Sequence, residues 1–252
     1  HAPEALVITP ESLHILLSQS DYPHYFRNLQ SIIVDEWHEI LGTKRGVATE
    51  LAISRLKSIT RKPLKVWGIS ATIGNLKQAK RVLLGEDLYK HAVEIRSDVE
   101  KKVMVESILP DEVDSLPWSG HLGTHLLHKI IPIIQQSKTT LLFTNTRSQT
   151  ELWYQAIVNN YPEMAGVIAM HHGSINQDIR IWVEEALHAQ KLKCVVCTSS
   201  LDLGVDFRPV DTVIQIGGPK GVSRFFQRAG RSGHRPGEVS KIYFVPTHSL
   251  EL

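Results

Sequence analysis

Short apolar runs alternate with helix-like patterns along most of the chain. The runs are continuous rather than alternating in polarity, and they predict strands at 5–9, 31–35, 64–70, 91–96, 139–144, 166–170, 193–198, 211–216 and 239–245. A helical period between them predicts helices that include 46–59, 121–136, 148–160 and 176–190. Continuous apolar strands separated by helices are typical of parallel sheets covered on both faces. The pattern therefore predicts an α/β fold.

One segment breaks this alternation. Residues 98–119 contain two prolines and an acidic cluster, and we interpret them as a linker between two α/β units. The predicted organisation is a first unit at 1–97, the linker, and a second unit at 120–252.

Composition limits the class of protein only loosely. With 42% hydrophobic residues, 21% charged residues and a net charge of +2, the chain has an ordinary globular composition. Near-neutral charge neither requires nor excludes a polyanionic partner, so any contact with nucleic acid would depend on local arrangement. No apolar run approaches the ~20 residues of a membrane span, and no signal-peptide pattern opens the chain. We expect a cytoplasmic protein without a membrane partner.

The only two cysteines, Cys194 and Cys197, lie in a predicted strand. A CxxC pair can indicate redox or metal chemistry. In a strand, however, positions i and i+3 point to opposite faces. We therefore interpret both as buried thiols of a reduced cytosolic protein.

Polar turns follow the carboxyl ends of the predicted strands in both units. Parallel sheets bind ligands outside these ends, so the turns are the candidate functional positions. In the first unit they are Thr9, Pro10, Glu11 and Ser12, then Asp35 and Glu36, then Ser70, Ala71 and Thr72. In the second unit they are Thr144, Asn145, Thr146 and Arg147, then His171, His172, Gly173 and Ser174, then Thr198, Ser199 and Ser200.

Asp35 and Glu36 directly follow the β-branched run Ile32, Ile33 and Val34. Adjacent carboxylates repel each other and are costly to desolvate, so a divalent cation is a natural partner. Carboxylates at a strand end support Mg²⁺ and polarise water in nucleotide hydrolysis. The alternative is an acidic helix start, and the pair alone does not decide between the two.

A second candidate is "FFQRAGRSGHR" at 225–235, in which glycines separate Arg228, Arg231 and Arg235. Such spacing suits a turn that directs guanidinium groups at phosphate, as an arginine finger does. A solvated basic loop is the alternative.

The stretch "TSSLDLGVDF" at 198–207 combines a hydroxyl-rich turn with Gly204 and Asp206. The hydroxyls could hold a nucleic-acid backbone, and Asp206 could meet a ribose hydroxyl or an arginine. A helix cap formed by Ser200 or Asp202 is the alternative, which this stretch alone would favour.

Together, TPES, DEWH, SAT, FTNTR, HHGS, TSSLDLGVDF and QRAGRSGHR resemble the ordered motifs of superfamily 2 helicases over about residues 5–245. The chain is most similar to the large helicase-related (Lhr-type) DEXH-box group, and "VDEWHEILGTKRGVATEL" and "PWSGHLG" suggest its ligase-associated bacterial branch. The resemblance implies two RecA-like P-loop NTPase units, the first incomplete. It also implies ATP-driven translocation on DNA in the 3′→5′ direction. The implied setting is DNA repair at the nucleoid, with repair-protein partners that the sequence does not identify.

The resemblance also implies roles for individual residues. Asp35 and Glu36 would hold Mg·ATP, with His38 coupling them to Ser70, Ala71 and Thr72. Gly204 and Asp206 would lie at the ATP edge of the second unit. Gln227, Arg228 and Arg231 would face the nucleotide, with Arg231 as the finger; His234 interrupts the usual spacing, which leaves open whether Arg235 is the second finger. Single-stranded DNA would be bound by Thr9, Pro10, Glu11, Ser12, Thr144, Asn145, Arg147, His172, Gly173, Thr198 and Ser199.

One departure from the family pattern is large. No GxxxxGK[ST] phosphate loop occurs in the 252 residues, and the chain begins without methionine. The family places this loop upstream, so the resemblance implies the interior of a helicase that does not hydrolyse ATP by itself. A non-catalytic nucleic-acid-binding fragment and an RNA-directed helicase remain alternatives.

Overall fold

The computed structural model describes residues 3–70, 73–86, 88–96, 102–111, 123–202, 210–233, 239–248 and 251. The chain divides into two compact units, His1–Ser97 and Asp98–Leu252. Each has a parallel sheet and a core of its own.

The first unit combines helices with two described strands. Its elements are α1 (Pro10–Leu17), α2 (Tyr22–Phe26), β1 (Ser31–Val34), α3 (Trp37–Ile40), α4 (Lys44–Ile59), β2 (Lys65–Gly68) and α5 (Leu76–Leu84). Strands β1 and β2 are parallel neighbours, with Ser31 opposite Lys65 and Val34 opposite Gly68. Their carboxyl ends therefore lie side by side.

The core of the first unit lies between the helices and one side of these strands. Val34, Trp37, Ile53, Ala79 and Leu83 form one buried cluster, and the Trp37 indole donates to the Ala79 carbonyl at 3.3 Å. Other apolar side chains of the strands stay exposed. Ile33 and its register partner Trp67 are 64% and 54% exposed.

The second unit contains a larger sheet. Its elements are β3 (Val103–Ser107), α6 (Leu127–Gln136), β4 (Thr140–Phe143), α7 (Arg147–Asn160), β5 (Ile168–His171), α8 (Gln177–His188), β6 (Cys194–Cys197), β7 (Thr212–Ile216), α9 (Val222–Ala229) and β8 (Ser240–Val245). Six parallel strands follow the order β3-β8-β7-β4-β6-β5. Strands β4, β6 and β7 are buried along their whole length.

Helices cover both faces of this sheet. Residues of α6 and α7, such as Ile130 and Trp153, pack in one cluster with Cys194 and Val196. Residues of α8 and α9 pack in another cluster with Val195 and Cys197. The predicted parallel α/β fold and the two buried thiols are confirmed, and burial raises the pKa of Cys194 to about 12.

Two predicted strands are wrong. Residues 5–9 and 91–96 have no strand pairing, and Val7 and Val93 are 101% and 86% exposed. A strand requires a neighbour to accept its backbone hydrogen bonds. Within the described ranges, neither segment has such a neighbour.

Part of the predicted linker is also a strand. Val103–Ser107 pairs with β8 from Val103 opposite Ser240 to Ser107 opposite Phe244. It is an edge strand with Met104 and Val105 about half exposed, and its apolar run is interrupted by Glu106. Most of the remaining linker, 112–119, lies outside the described residues. None of the described helices is long and apolar enough to cross a membrane.

Candidate active site

Asp35 and Glu36 lie at the carboxyl end of β1. The Asp35 side chain accepts a hydrogen bond from the Glu36 N–H at 2.9 Å. Glu36 has φ 48° and ψ 42°, a left-handed conformation that a non-glycine residue rarely adopts. Its side chain makes no capping hydrogen bond to α3. The geometry therefore does not support the alternative in which the pair serves as a helix cap.

His38 connects the ends of the two strands. Its Nδ1 lies 3.2 Å from Ser70 Oγ, beyond β2, and 3.5 Å from a carboxylate oxygen of Glu36. The backbone joins the same two places, because Trp37 donates to the Ile69 carbonyl at 3.0 Å. The contact between His38 and Ser70 that the resemblance implies is present. Ala71 and Thr72 lie outside the described residues.

The carboxylates fit the coordination that Mg²⁺ accepts. Mg²⁺ is usually held by one or two carboxylates together with substrate phosphates and water, rather than by an all-protein cage. Asp35 is exposed and Glu36 is half-buried, so oxygens of both can reach solvent. Within the described ranges, no group of three or more His, Cys, Asp or Glu side chains could hold a metal ion.

The turn before α1 contains Thr9, Pro10, Glu11 and Ser12. Thr9 caps α1 by accepting the Ser12 N–H at 3.3 Å, and Pro10 occupies the first helical position. Glu11 pairs with Arg45 at 2.7 Å, and this hydrogen bond lowers the pKa of Glu11. Thr9, Glu11 and Ser12 remain exposed.

In the second unit, β4, β6 and β5 are adjacent, so the turns at their carboxyl ends lie along one edge. Thr146 caps α7 by accepting the Gln149 N–H at 3.2 Å, which places Arg147 in its first turn. The Arg147 guanidinium donates to Ser174 Oγ in the turn after β5. Asn145 donates to the Gly218 carbonyl at 3.0 Å, beyond β7. The structure brings these predicted turns together.

The predicted phosphate contacts differ in exposure. Thr144 is fully buried, and its hydroxyl lies 2.7 Å from that of Thr150, so the prediction that it contacts phosphate needs correction. His172 is 3% and Thr198 is 9% exposed, so their side chains mainly support the turns. In the second unit, the predicted contacts that are exposed are Asn145, Arg147, Gly173 and Ser199.

His171, the last residue of β5, is buried, and the sequence places it among the polar turns without indicating a role for it. Its Nδ1 lies 2.7 Å from Ser200 Oγ and its Nε2 lies 3.1 Å from Glu184 on α8. Burial lowers the pKa of His171, although the hydrogen bond to Glu184 opposes this shift. Ser200 thus ties the turn after β6 to β5 instead of capping a helix. The histidine doublet was the only signal in the sequence.

Arg228 on α9 is 2% exposed, which corrects the prediction that it faces a nucleotide. Its Nε and Nη2 donate to the two Asp202 oxygens at 2.7 and 3.1 Å, and its Nη1 donates to Gln215 Oε1 at 2.7 Å. The guanidinium also lies 4.6 Å from the centre of the Phe143 ring. All these partners are buried, so Arg228 belongs to an internal network.

Asp202 holds more than one arginine. Its carbonyl accepts a hydrogen bond from Arg231, and its carboxylate lies 3.6 Å from Arg224 Nε. The sequence makes Asp202 only a candidate helix cap, whereas in the structure its side chain binds Arg228. Gln227 and Arg231 are half-buried, whereas Gly204, Asp206 and Arg235 lie outside the described residues.

Glycine is required at position 233 for a steric reason. Gly233 has φ 62°, and a Cβ there would lie 2.8 Å from the Val239 carbonyl oxygen. Only glycine fits both conditions without strain.

Comparison with known proteins identifies the class. The DEAD/DEAH box helicase family matches residues 1–80, and the helicase conserved C-terminal domain matches residues 124–236. The structure of Mycobacterium smegmatis helicase Lhr bound to ssDNA and AMP-PNP superposes with a TM-score of 0.83 and 29% identity, covering 99% of this chain and 32% of that one. Mss116p bound to ssRNA and AMP-PNP has a TM-score of 0.70 at 19% identity, a likeness of fold alone that covers 97% and 48%. The two units are therefore those of a RecA-like helicase core of superfamily 2.

Sequence relatives narrow the assignment. The ATP-dependent helicase Lhr-Core protein 2 of Thermococcus barophilus is 36% identical over 244 residues, which are 95% of this chain and 28% of the relative. The ATP-dependent helicase Lhr-Core of Methanocaldococcus jannaschii is 37% identical over 250 residues, covering 97% and 28%. The chain belongs to the Lhr-type helicases, as its motifs predicted. It spans between a quarter and a third of the length of these curated relatives.

Proposed function

We propose that the protein is an ATP-dependent helicase that moves along nucleic acid. Asp35 and Glu36 would hold Mg·ATP, with Asp35 supporting the cation and Glu36 polarising the attacking water. His38 would link this site to the turn after β2. The 252 residues alone are not expected to hydrolyse ATP, because they contain no loop for the β- and γ-phosphates.

The observation that carries this proposal is the backbone of Glu36. Holding a non-glycine residue in the left-handed region costs on the order of 1–3 kcal/mol, and such strain concentrates at functional sites. Here it occurs at φ 48° between the carboxyl end of β1 and the His38–Ser70 contact. The strained conformation fixes the direction of a carboxylate that makes no capping bond. A catalytic role accounts for this arrangement better than packing does.

For the partner, we propose single-stranded DNA, bound through its phosphates. The exposed residues Asn145, Arg147, Gly173 and Ser199 lie along the carboxyl edge of the second sheet, and they would follow a backbone rather than read bases. The M. smegmatis relative was solved with ssDNA, which favours DNA. RNA is the second candidate, since contacts to phosphate do not distinguish the sugar.

We further propose that Arg231 stabilises the charge that develops on the γ-phosphate. Loss of an arginine finger costs about 10³ or more in rate, so Arg231→Ala should nearly abolish ATP turnover. Arg231→Lys should restore little, because an ammonium cannot reproduce the planar fork. Arg235→Ala is the comparison: if it eliminates turnover and Arg231→Ala does not, the assignment is wrong.

The remaining details are also proposals. They comprise 3′→5′ polarity, a role in DNA repair, membership of the ligase-associated bacterial branch, and a cytoplasmic, nucleoid-associated location.

The test is strand separation by the full-length protein on duplexes with a 3′ or a 5′ single-stranded tail, each made of DNA or of RNA. We expect ATP-dependent unwinding of the 3′-tailed DNA duplex and none by Glu36→Gln. Unwinding of the 5′-tailed duplex would contradict the polarity, and a preference for an RNA tail would favour the second candidate. Unwinding without ATP, or by Glu36→Gln at the normal rate, would contradict the function itself.

A further inference from the structure

The carboxylate of Asp202 is the centre of a buried network in the second unit. Asp202 and Arg228 are 3% and 2% exposed and form a two-pronged ion pair. Arg228 makes its third hydrogen bond to the side-chain oxygen of Gln215. The Gln215 side chain is itself held in place, because its amide nitrogen donates to the Ile216 and Gly217 carbonyls at 3.0 and 2.7 Å. Its oxygen is thereby turned toward Arg228. The orientation of Arg228 is thus determined by the turn after β6 and by β7, as well as by α9.

The same residue reaches the proposed arginine finger. The backbone carbonyl of Asp202 accepts a hydrogen bond from Arg231, which follows α9 by two residues. Arg231 N–H also donates to the Arg228 carbonyl at 2.9 Å. The side chain of Asp202 therefore holds the helix, while its backbone holds the arginine that follows the helix.

Asp202 is also one short turn away from a proposed nucleic-acid contact. A 3-10 helix, Ser199–Leu201, begins directly after Thr198, and the Asp202 N–H donates to the Ser199 carbonyl at 3.0 Å. Ser199 is exposed, whereas Leu201 and Asp202 are buried. A displacement of this rigid turn at Ser199 therefore reaches Asp202 through a single backbone hydrogen bond.

We propose that Asp202 is a positioning residue that holds Arg228 and Arg231 on the turn 198–202, so that phosphate contact at this turn and the placement of Arg231 depend on each other. This inference rests on the proposed function. It adds a physical link between nucleic-acid binding and ATP turnover, carried by a residue that touches neither ligand.

A purely structural role is the competing account. Buried ion pairs can often be replaced by apolar residues without loss of stability, so stability alone is a weak reason for this pair. The two-pronged ion pair also fixes the direction in which the Arg228 side chain points, which an apolar contact would not do. The two accounts differ in whether turnover and its stimulation by nucleic acid change in a folded variant.

The test compares Asp202→Asn with the wild type in the full-length protein. Asparagine keeps the shape but offers only one acceptor and no charge, so the fork to Arg228 is lost. A misplacement of about 1 Å can cost about 10²-fold in rate, and we expect kcat with saturating single-stranded DNA to fall about 10- to 100-fold. The KM for ATP should stay within about 3-fold, because Asp202 does not contact the nucleotide. The stimulation of turnover by DNA should be mostly lost, and Asp202→Glu should restore part of it.

Two controls separate positioning from folding. Asp211→Asn removes an exposed carboxylate that accepts the Lys138 N–H at 2.6 Å in the same unit, and it should change neither kcat nor stimulation. If Asp202→Asn does not fold, Arg228→Lys keeps a buried positive charge but cannot form the fork, and it should give the same kinetic pattern. A folded variant of either kind with kcat and DNA stimulation within about 2-fold of wild type would overturn the proposal.

Limited trypsin digestion gives a readout that does not depend on ATP. Loss of the two-pronged ion pair between Asp202 and Arg228 should loosen the end of α9 and accelerate cleavage after Arg231, while cleavage after the exposed Lys191 of the same unit serves as the reference. If the wild type shows no DNA-stimulated turnover, the proposed function fails, and this digestion still decides the positioning claim. Unchanged cleavage after Arg231 in Asp202→Asn would overturn it.

Discussion

Arg228→Ala should strongly destabilise the second unit. It removes three hydrogen bonds and a contact with the Phe143 ring, and it leaves the buried Asp202 carboxylate with only the Arg224 guanidinium, at 3.6 Å. Removing one member of a buried ion pair costs about 3–5 kcal/mol. At about 2–4 °C per kcal/mol for a unit of this size, the melting temperature should fall by roughly 6–20 °C.

Native-state hydrogen exchange of the β4 and β6 amides measures this loss, because it reports the opening of the second unit by itself. The double variant Asp202→Leu with Arg228→Met leaves no buried charge, so it should be more stable than Arg228→Ala. Arg45 provides a matched control, since it also makes a fork, to Glu11 at 2.7 and 3.3 Å, but is 52% exposed. Arg45→Ala should hardly change exchange in α4. If Arg228→Ala is as mild as Arg45→Ala, the network does not hold the unit together as we infer.

Three further predictions concern other parts of the chain. Arg147→Ala should weaken binding of single-stranded DNA similarly for unrelated sequences and reduce its salt dependence, measured by fluorescence anisotropy; an effect confined to one sequence would indicate base recognition instead. Because burial lowers the pKa of His171, the unfolded state binds its proton first, so stability should fall as the pH drops below about 6.5. His171→Gln should flatten this decline in urea unfolding between pH 7.5 and 5.5, and an unchanged slope would contradict the assignment. Limited proteolysis of the 252-residue polypeptide should spare a fragment from about residue 120 onward, because Ile33 and Trp67 leave an exposed apolar face in the first unit; equal protection of both units in a monomer would contradict this.

The sequence predicts the fold well where strands are buried. The strands β4 and β6 lie in continuous apolar runs, because helices cover both faces of their sheet. It fails at the edge, where pairing depends on the neighbour. Residues 5–9 have an apolar run but pair with no strand in the described part of the chain, whereas β3 is interrupted by Glu106 and still pairs with β8.

The same contrast holds for the site. The turns could be located because parallel strands direct their carboxyl ends to one edge. The sequence could not separate Arg228 from Arg231, because both lie in one glycine-spaced arginine run and only the packing of α9 determines which is buried. Nor could it assign Asp202, whose partner Arg228 lies 26 residues away. A short polar turn resembles a helix cap until its tertiary partners are known.

The most direct test of the central claim is the steady-state hydrolysis of ATP by the full-length protein with saturating single-stranded DNA, for the wild type and for Glu36→Gln. The Glu36 carboxylate, at the end of β1, is proposed to polarise the attacking water, and its backbone adopts a left-handed conformation. Glutamine keeps the size of this side chain without its charge. We predict that Glu36→Gln binds ATP with nearly unchanged affinity and that its turnover falls by about 10²-fold or more, within the range that general-base catalysis supplies. Turnover by Glu36→Gln close to that of the wild type would contradict the account.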